Sequence, residues 1–200
     1  MGFFDLFKQN DTDKTDNSRV PPGQHLTKTF PVLHYGQVPK VNLDNWDFRI
    51  WGLVKSPVTL NYEEFLALPK KEQICDIHCV TTWSKLDTAW EGIPFKEVMK
   101  LIDPLPEAKY VMVHAEKGFT TNLALSDLMD DDVLFAYKYN GGNLTSEHGW
   151  PLRLVLPKLY FWKSAKWVRG LEFMDHDEPG FWEQNGYHMH GDPWTEERYR

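Results

Sequence analysis

Cysteine is scarce in this sequence, which has Cys75 and Cys79 alone among its 200 residues. Two thiols so close together cannot build the disulfide framework that holds many small secreted domains together. The chain also lacks a run of roughly 20 apolar residues, the length that a transmembrane helix requires. Its start, MGFFDLFKQN, lacks the basic segment, long apolar core and cleavage site of a secretory signal. We therefore expect a cytoplasmic protein without membrane insertion.

Positive charge is in deficit as well. The chain has 22 Lys and Arg against 29 Asp and Glu, a formal net charge of −7. A protein that binds nucleic acid by neutralising phosphates is therefore disfavoured. Aromatic residues are in excess, with 9 Trp, 8 Tyr and 12 Phe. Rigid rings in such number suit the wall of a pocket for a flat or bulky ligand, although an aromatic-rich core is the simpler explanation.

The composition along the chain predicts one domain with a tail. Residues 10–19 are all polar or charged, as in a solvated tail, and prolines and a glycine at 21–23 follow them. We predict a polar N-terminal tail over 1–28 and a single domain over 29–200. The aromatic segment 181–200 is expected to wrap onto the domain, because a free tail rarely carries so many aromatic side chains.

The hydrophobic pattern predicts an α+β fold with mostly β content and short helices. Apolar and polar residues alternate over 46–54, which indicates a strand. Asn61 and Glu64 have the spacing of a capping box for a helix over 62–68, and Pro94 stands where a second helix begins. Further strands are predicted over 73–80, 109–116, 133–139, 151–157 and 164–174.

Cys79 lies where a predicted strand ends, a position at which folds often present reactive groups. A buried structural cysteine is the commoner outcome. A zinc site could combine Cys75, His78 and Cys79 with His188 or His190, but strand geometry sends His78 to the face opposite the two thiols. A cysteine nucleophile with a histidine base and a single thiolate ligand to a metal carried by an organic cofactor are the other possibilities.

Basic side chains concentrate between positions 148 and 169, in an otherwise acidic protein. His148, Arg153, Lys163, Lys166 and Arg169 fall in this stretch. Such an excess suits an anionic ligand, to which arginine offers a bidentate fork and lysine a point charge. We expect Lys163 and Arg169 to lie alone on outward strand faces. Arg153 sits between residues that look buried, where an unpaired guanidinium would be costly.

Two blocks of the sequence resemble a known family. CDIHCVTTWSKLDTAWEGIPF and NGGNLTSEHGWPLRLVLPKLYFWKSAKWVRGLEF are similar to the oxidoreductase molybdopterin-binding domain of the sulfite oxidase superfamily. The resemblance covers about residues 29–200 and is strongest to single-domain bacterial members related to the catalytic subunit MsrP. It implies a sulfite-oxidase-type fold of mixed sheets with short helices. It also implies a molybdenum–molybdopterin cofactor, and no haem in this chain.

The resemblance implies roles for particular residues. Cys79 matches the cysteine whose thiolate binds molybdenum. His148 stands where relatives carry Asn or His against the pterin, and Arg153 matches the arginine of the second block. Ser164, Ala165 and Lys166 match the segment that holds the phosphate end of the cofactor. Further implied cofactor contacts are His34, Tyr35, His78 and Thr120.

The resemblance further implies a molybdenum-dependent oxidoreductase that moves two electrons or an oxygen atom to or from a small molecule such as a sulfoxide, an N-oxide or sulfite. Sulfite-oxidising members keep an arginine shortly after the metal-binding cysteine, whereas Val80 to Ser84 follow Cys79 here. A separate electron-transfer partner is expected, since no haem domain precedes the core. A monomer is expected because no second β-sandwich follows. The alternatives are a cofactor-storage protein and a hydrolase that uses Cys79.

Overall fold

The computed structural model describes residues 17–200, so residues 1–16 of the tail predicted over 1–28 lie outside the described residues. The described part contains eleven strands and four short α-helices. The strands are β1 (His25–Leu26), β2 (Asp47–Gly52), β3 (Val58–Asn61), β4 (Lys71–His78), β5 (Trp83–Pro94), β6 (Tyr110–Ala115), β7 (Thr120–Ala124), β8 (Leu134–Tyr139), β9 (Gly142–Asn143), β10 (Arg153–Val155) and β11 (Val168–Met174). The helices are α1 (Tyr62–Leu66), α2 (Phe95–Met99), α3 (Leu125–Leu128) and α4 (Phe181–Gln184).

The strands form two mixed sheets, as the resemblance implied. In the first, the order is β1-β5-β8-β10, with β4 paired to β5 and β9 to β8. In the second, the order is β3-β2-β11-β6-β7. β1 runs parallel to β5 and β11 runs parallel to β2, whereas the other pairs are antiparallel. The predicted mostly-β class is therefore confirmed.

Strand β8 of the first sheet has buried side chains on both faces. Phe135 and Tyr137 of β8 pack into the main core with strands of the second sheet. Leu134 and Ala136 of the same strand face the other way, into a smaller cluster that also contains Cys79. Because successive strand side chains point to opposite faces, β8 separates the two clusters. The smaller cluster lies at the candidate site.

Local patterns form as their sequences predict. Phe48 and Ile50 on β2 are fully buried, as the alternation over 46–54 indicates. Asn61 and Glu64 make the capping box of α1, with hydrogen bonds of 2.9 and 2.8 Å. Each bond satisfies a backbone amide that the first helical turn leaves free.

The predicted boundary at residue 29 falls too late. His25 and Leu26 pair with Trp83 and Ser84 of β5, so the sheet begins within the predicted tail. Arg19 also binds Asp76 on β4, at 2.6 Å. A two-residue strand carries no alternation that a sequence pattern could reveal. The residues before 29 that the structure describes are therefore attached to the domain.

Within residues 17–200, no helix has the length and apolar character needed to cross a membrane.

Candidate active site

A cavity of about 560 Å³ opens beside the smaller hydrophobic cluster. Its wall combines six parts of the chain: the segment 30–37, the turn after β4, the segment 116–119, Arg153 on β10, the segment 161–167, and the residues on and after α4. Among the side chains that line it are Cys79, Arg153, Ser164, Ala165 and Lys166, together with His34 and Tyr35. Seven of the predicted site residues are thus brought together.

Cys79 sits on the turn between β4 and β5. Its backbone amide donates to the Trp83 carbonyl at 2.8 Å, and the Thr82 amide donates to the Cys79 carbonyl at 3.0 Å. The thiol is buried and lies 3.1 Å from the Thr81 hydroxyl. Burial raises the pKa of the Cys79 thiol, and the Thr81 hydrogen bond opposes the rise. In the described residues the hydrogen-bond partner of this thiol is thus a hydroxyl, not the histidine that a hydrolase would need.

Arg153 is 1 % exposed, as its position within LRLVL predicts. Its guanidinium donates to the carbonyls of His148 at 3.0 Å and Ser164 at 3.1 Å, and it stacks 4.3 Å from the Phe161 ring. No carboxylate in residues 17–200 contacts it. Desolvation therefore lowers the pKa of Arg153 to about 9. A buried cation without an acidic partner is unfavourable unless an anion occupies the cavity that it faces.

Lys166 adds a second, half-buried cation to the same wall. Its ammonium donates to the carbonyls of Leu33 at 2.7 Å and Glu147 at 2.5 Å. Burial, followed by repulsion from Arg153, lowers the pKa of Lys166 to about 7. Ser164 and Ala165, which precede Lys166 in the sequence, are buried. The Ser164 hydroxyl accepts a hydrogen bond from the Leu156 amide at 3.0 Å. The combination of small residues and cations leaves room for a phosphate group.

The segment 30–37 forms a further part of the wall. The Phe30 ring stacks on the His148 imidazole at 4.0 Å. His34 is exposed, binds the Gly36 carbonyl at 2.9 Å and lies 6.2 Å from the Trp167 ring. Tyr35 is 71 % exposed at the rim. The two predicted contacts of this segment therefore lie at the mouth of the cavity.

Three predicted site residues, His78, Thr120 and His148, do not line the cavity. The His78 ring binds the Ser84 hydroxyl at 2.8 Å within the first sheet. Thr120 pairs with His114 at the start of β7. His148 stands behind Phe30, whose carbonyl its Nε2 approaches at 3.3 Å. A register shift between Cys75 and Ile77 also breaks the alternation predicted for β4.

Aromatic residues that had no assigned place complete the wall. Phe161 and Trp167 line the cavity near the cations, and Trp182 and Tyr187 line it from the C-terminal segment. The Trp182 and Tyr187 rings stack at 4.9 Å. The aromatic excess was the available signal, but it could not say which rings face the cavity. The predicted wrap of 181–200 provides part of them.

Two other basic residues differ from their prediction. Lys163 is completely buried and binds Glu183 at 2.7 Å, instead of lying on an outward strand face. Arg169 pairs with Asp47 and, at 2.6 Å, with Glu116. Because both cations have carboxylate partners, they are neutralised. Arg153 and Lys166 differ from them in lacking such partners.

The structure does not support the alternative of a zinc site. Among residues 17–200, no three His, Cys, Asp or Glu side chains are arranged to hold a metal ion together. A cofactor that brings its own metal ligands needs one protein thiolate only, together with groups that bind its organic part. The donors present fit such a group: a shielded cysteine, two cations without acidic partners, and an aromatic wall for a flat ring system.

Comparisons with known proteins agree. The family model "Oxidoreductase molybdopterin binding domain" matches residues 35–182. A Bacillus subtilis (strain 168) protein named "Uncharacterized oxidoreductase YuiH" is 50% identical over 190 residues, which are 94% of this chain and 96% of that protein. The protein-methionine-sulfoxide reductase catalytic subunit MsrP of Gluconobacter oxydans (strain 621H) is 32% identical over 155 residues, 68% of this chain but 49% of MsrP.

A solved structure shares the fold. The sulfane dehydrogenase SoxCD from Paracoccus pantotrophus matches with a TM-score of 0.67 at 22% sequence identity, over 76% of this chain and 43% of that one. At this identity the similarity concerns the fold alone. Together with the family model, it leads to one conclusion: the chain belongs to the oxidoreductase molybdopterin-binding domain family of the sulfite oxidase superfamily, and it is an oxidoreductase with a molybdenum–molybdopterin cofactor.

Proposed function

We propose that the chain catalyses two-electron or oxygen-atom transfer on a small neutral substrate, with Cys79 as the protein ligand to molybdenum. The proposal rests on the environment of Arg153. A fully buried guanidinium without a carboxylate partner faces the cavity that Cys79 also lines. The anionic phosphate of a pterin cofactor would supply the missing charge. When bound, this cofactor supplies the two-electron redox change and the centre at which oxygen is transferred.

The residues of this chain hold and shield that group. The Cys79 thiolate binds the metal from a turn that its own backbone hydrogen bonds fix. Arg153 and Lys166 bind the phosphate end by charge and hydrogen bonds. Phe30 and Phe161 cover the guanidinium of Arg153, with centroid distances of 5.9 and 4.3 Å, and keep water from it.

The surroundings of Cys79 favour a neutral substrate. The lining side chains nearest to it in sequence, Val80, Thr81 and Trp83, carry no charge. Arg153 and Lys166 are committed to the cofactor in this proposal. Glu116, a carboxylate of the lining, is neutralised by Arg169. An oxyanion such as sulfite would find the exposed Lys117 as the one further lysine or arginine in the described lining, whereas a sulfoxide or N-oxide needs no cation to compensate its desolvation.

Electrons are exchanged with a separate carrier in this proposal. The relative named MsrP is a catalytic subunit, a name that supports a division of labour between chains. We place the protein in the cytoplasm as a monomer, in keeping with the expectations from its sequence.

Metal and pterin analysis of purified protein tests the proposal. We expect about one molybdenum and one pterin per chain, as one thiolate site implies. Cys79→Ser should abolish turnover of sulfoxides and N-oxides with an artificial electron donor. The matched control is Cys75→Ser, because Cys75 lies on β4, bonds to Thr88 at 3.7 Å and does not line the cavity.

Several outcomes would contradict the proposal. Full turnover by molybdenum-loaded Cys79→Ser would show that another group binds the metal. A bound cofactor that no donor reduces and no substrate reoxidises would identify a storage protein. Faster turnover of sulfite than of any neutral oxygen donor or acceptor would refute the substrate class.

A further inference from the structure

The turn that carries Cys79 has a strained backbone. Thr82 has φ = 74°, in the left-handed region that β-branched residues avoid. Such a conformation persists when the surrounding structure over-determines it. Within the turn, two backbone hydrogen bonds connect Cys79, Thr82 and Trp83. The remaining constraints come from two segments that are far away in sequence.

Arg198 holds the turn from the C-terminal segment. Its Nη1 donates to the Val80 carbonyl at 2.6 Å, and its guanidinium lies 5.0 Å from the centre of the Tyr160 ring. The Arg198 side chain is 14% exposed, and Tyr160 is fully buried. A hydrogen bond from a charged donor in such shielded surroundings is stronger than one between neutral groups.

Gln24 and His25 hold the turn from the N-terminal segment. The Gln24 side-chain amide donates to the Cys79 carbonyl at 3.1 Å, and the His25 backbone amide donates to the Thr82 carbonyl at 2.8 Å. The carbonyls of Cys79, Val80 and Thr82 thus each accept a hydrogen bond from a residue outside the turn. Arg198 also reaches the N-terminal segment, since its Nη2 lies 3.4 Å from the Pro22 carbonyl.

We propose that Arg198 and Gln24 are positioning residues, which clamp the strained turn so that the Cys79 sulfur faces the cavity in the geometry that the metal requires. This proposal rests on the proposed function, because it takes Cys79 as the molybdenum ligand. Neither side chain lines the cavity. Their effect is therefore transmitted through the backbone carbonyls of the turn rather than by contact with cofactor or substrate.

Amide hydrogen exchange of the cofactor-free protein tests the clamp directly. The reporters are the amides of Cys79 and Thr82, whose hydrogen bonds close the turn. In Arg198→Ala we expect them to exchange roughly tenfold faster or more, as loss of a hydrogen bond from a charged donor implies. Arg198→Lys should restore part of the protection. Gln24→Ala should accelerate the exchange of the same amides while leaving the charge of Arg198 in place.

Arg200→Ala is the matched control. Arg200 is exposed in the same segment, and its side chain contacts the Met189 sulfur at 3.8 Å rather than the turn. Its removal should leave both amides unchanged. If Arg198→Ala fails to fold, Arg198→Lys and Gln24→Ala carry the same measurement. Unchanged exchange in the folded Arg198 and Gln24 variants would overturn the clamp, whatever the protein catalyses.

The link to the metal requires the loaded protein. At equal molybdenum content, Arg198→Ala should change the electron paramagnetic resonance signal of partly reduced molybdenum, whereas Arg200→Ala should leave it unchanged. Faster exchange with an unchanged signal would overturn the positioning role and leave a purely structural clamp. A wild-type protein without molybdenum would refute the proposed function and this role with it, while the exchange data still decide the clamp.

Discussion

Arg153 differs from Lys163, the other fully buried cation within residues 17–200, in what surrounds it. Lys163 has Glu183 at 2.7 Å, but Arg153 has carbonyls and rings around it. The contacts to carbonyls satisfy its hydrogen-bonding groups without neutralising its charge. The free-energy cost of burying the Arg153 charge is therefore offset only when an anion is bound.

Replacement of this arginine tests its role in cofactor binding. In Arg153→Met we expect retention of the pterin to fall by roughly tenfold or more, since a hydrogen bond to a charged group is lost in a shielded site. Pterin content after gel filtration is the measurement. Arg49→Met, at an exposed position of β2, is the control and should keep its pterin. Equal pterin content in both variants would refute the role of Arg153.

Lys166 gives the cofactor-free protein a distinct pH dependence. Its folded-state pKa of about 7 lies below the ordinary value of 10.5. Between these values the unfolded chain binds more protons than the folded one, so this group makes stability rise with pH. We expect the difference in unfolding free energy between wild type and Lys166→Met to shift in favour of wild type from about pH 7 to 10.5. Urea titrations across that range would show a flat difference if the lysine is not desolvated.

At this scale the sequence predicted some side chains well and others poorly. The burial of Arg153 followed from its apolar neighbours in LRLVL. The burial of Lys163 could not be predicted, because its partner Glu183 lies on α4 and no local pattern connects the two. His78 is one of the implied cofactor contacts, but its ring is hydrogen-bonded to Ser84 within the first sheet and does not line the cavity.

Helix α4 is fixed to the core by a buried ion pair. Lys163 and Glu183 are both 0% exposed, and the Trp162 indole donates to Glu183 at 2.8 Å. Because Trp162, Phe181 and Trp182 all line the cavity, this pair orients one wall of the site.

Replacing Glu183 alone should lower the free energy of unfolding far more than replacing both members of the pair. We expect Glu183→Leu to cost about 3–5 kcal/mol of unfolding free energy, since it leaves a buried ammonium unpaired. The double variant Lys163→Met/Glu183→Leu should recover most of that loss. Urea unfolding of the cofactor-free proteins measures both. The exposed pair Lys55–Asp103, at 3.7 Å, is the control, and Asp103→Asn should change stability little. Equal losses in single and double variants would contradict this account.

Elements with a clear period were predictable, and elements defined by tertiary contacts were not. The strand β2 and the capped helix α1 follow from alternation and from the Asn61 to Glu64 spacing. The two-residue strand β1 exists because β5 offers it a partner, so nothing within its own sequence announces it. The bulge in β4 likewise depends on its pairing with β5.

The whole molecule keeps Arg153 and Lys166, two shielded cations without acidic partners, at one cavity despite its net charge of −7. A ligand that binds the native state alone stabilises it. We therefore expect inorganic phosphate, at about five times its dissociation constant, to add about 1 kcal/mol to the cofactor-free protein and to raise its Tm by about 2–4 °C. Chloride at matched ionic strength is the control. The effect should shrink in Lys166→Met, and an equal shift in that variant would place the phosphate elsewhere.

The mostly-β class could be predicted from the hydrophobic pattern along the chain, and the family from two sequence blocks that carry specific residues in order. The assembly of the cavity could not. It joins residues near 30, 79, 165 and 187, and their meeting depends on how two sheets and an irregular C-terminal segment pack. Periodicity describes elements one at a time, so it contains no information on which loops converge.

The aromatic wall has an optical consequence. Of the nine tryptophans, Trp83, Trp162, Trp167 and Trp182 line the cavity. A bound pterin would lie within energy-transfer distance of all four, so it would quench their emission. The intrinsic fluorescence of the chain therefore provides a label-free record of cofactor loading and loss in real time.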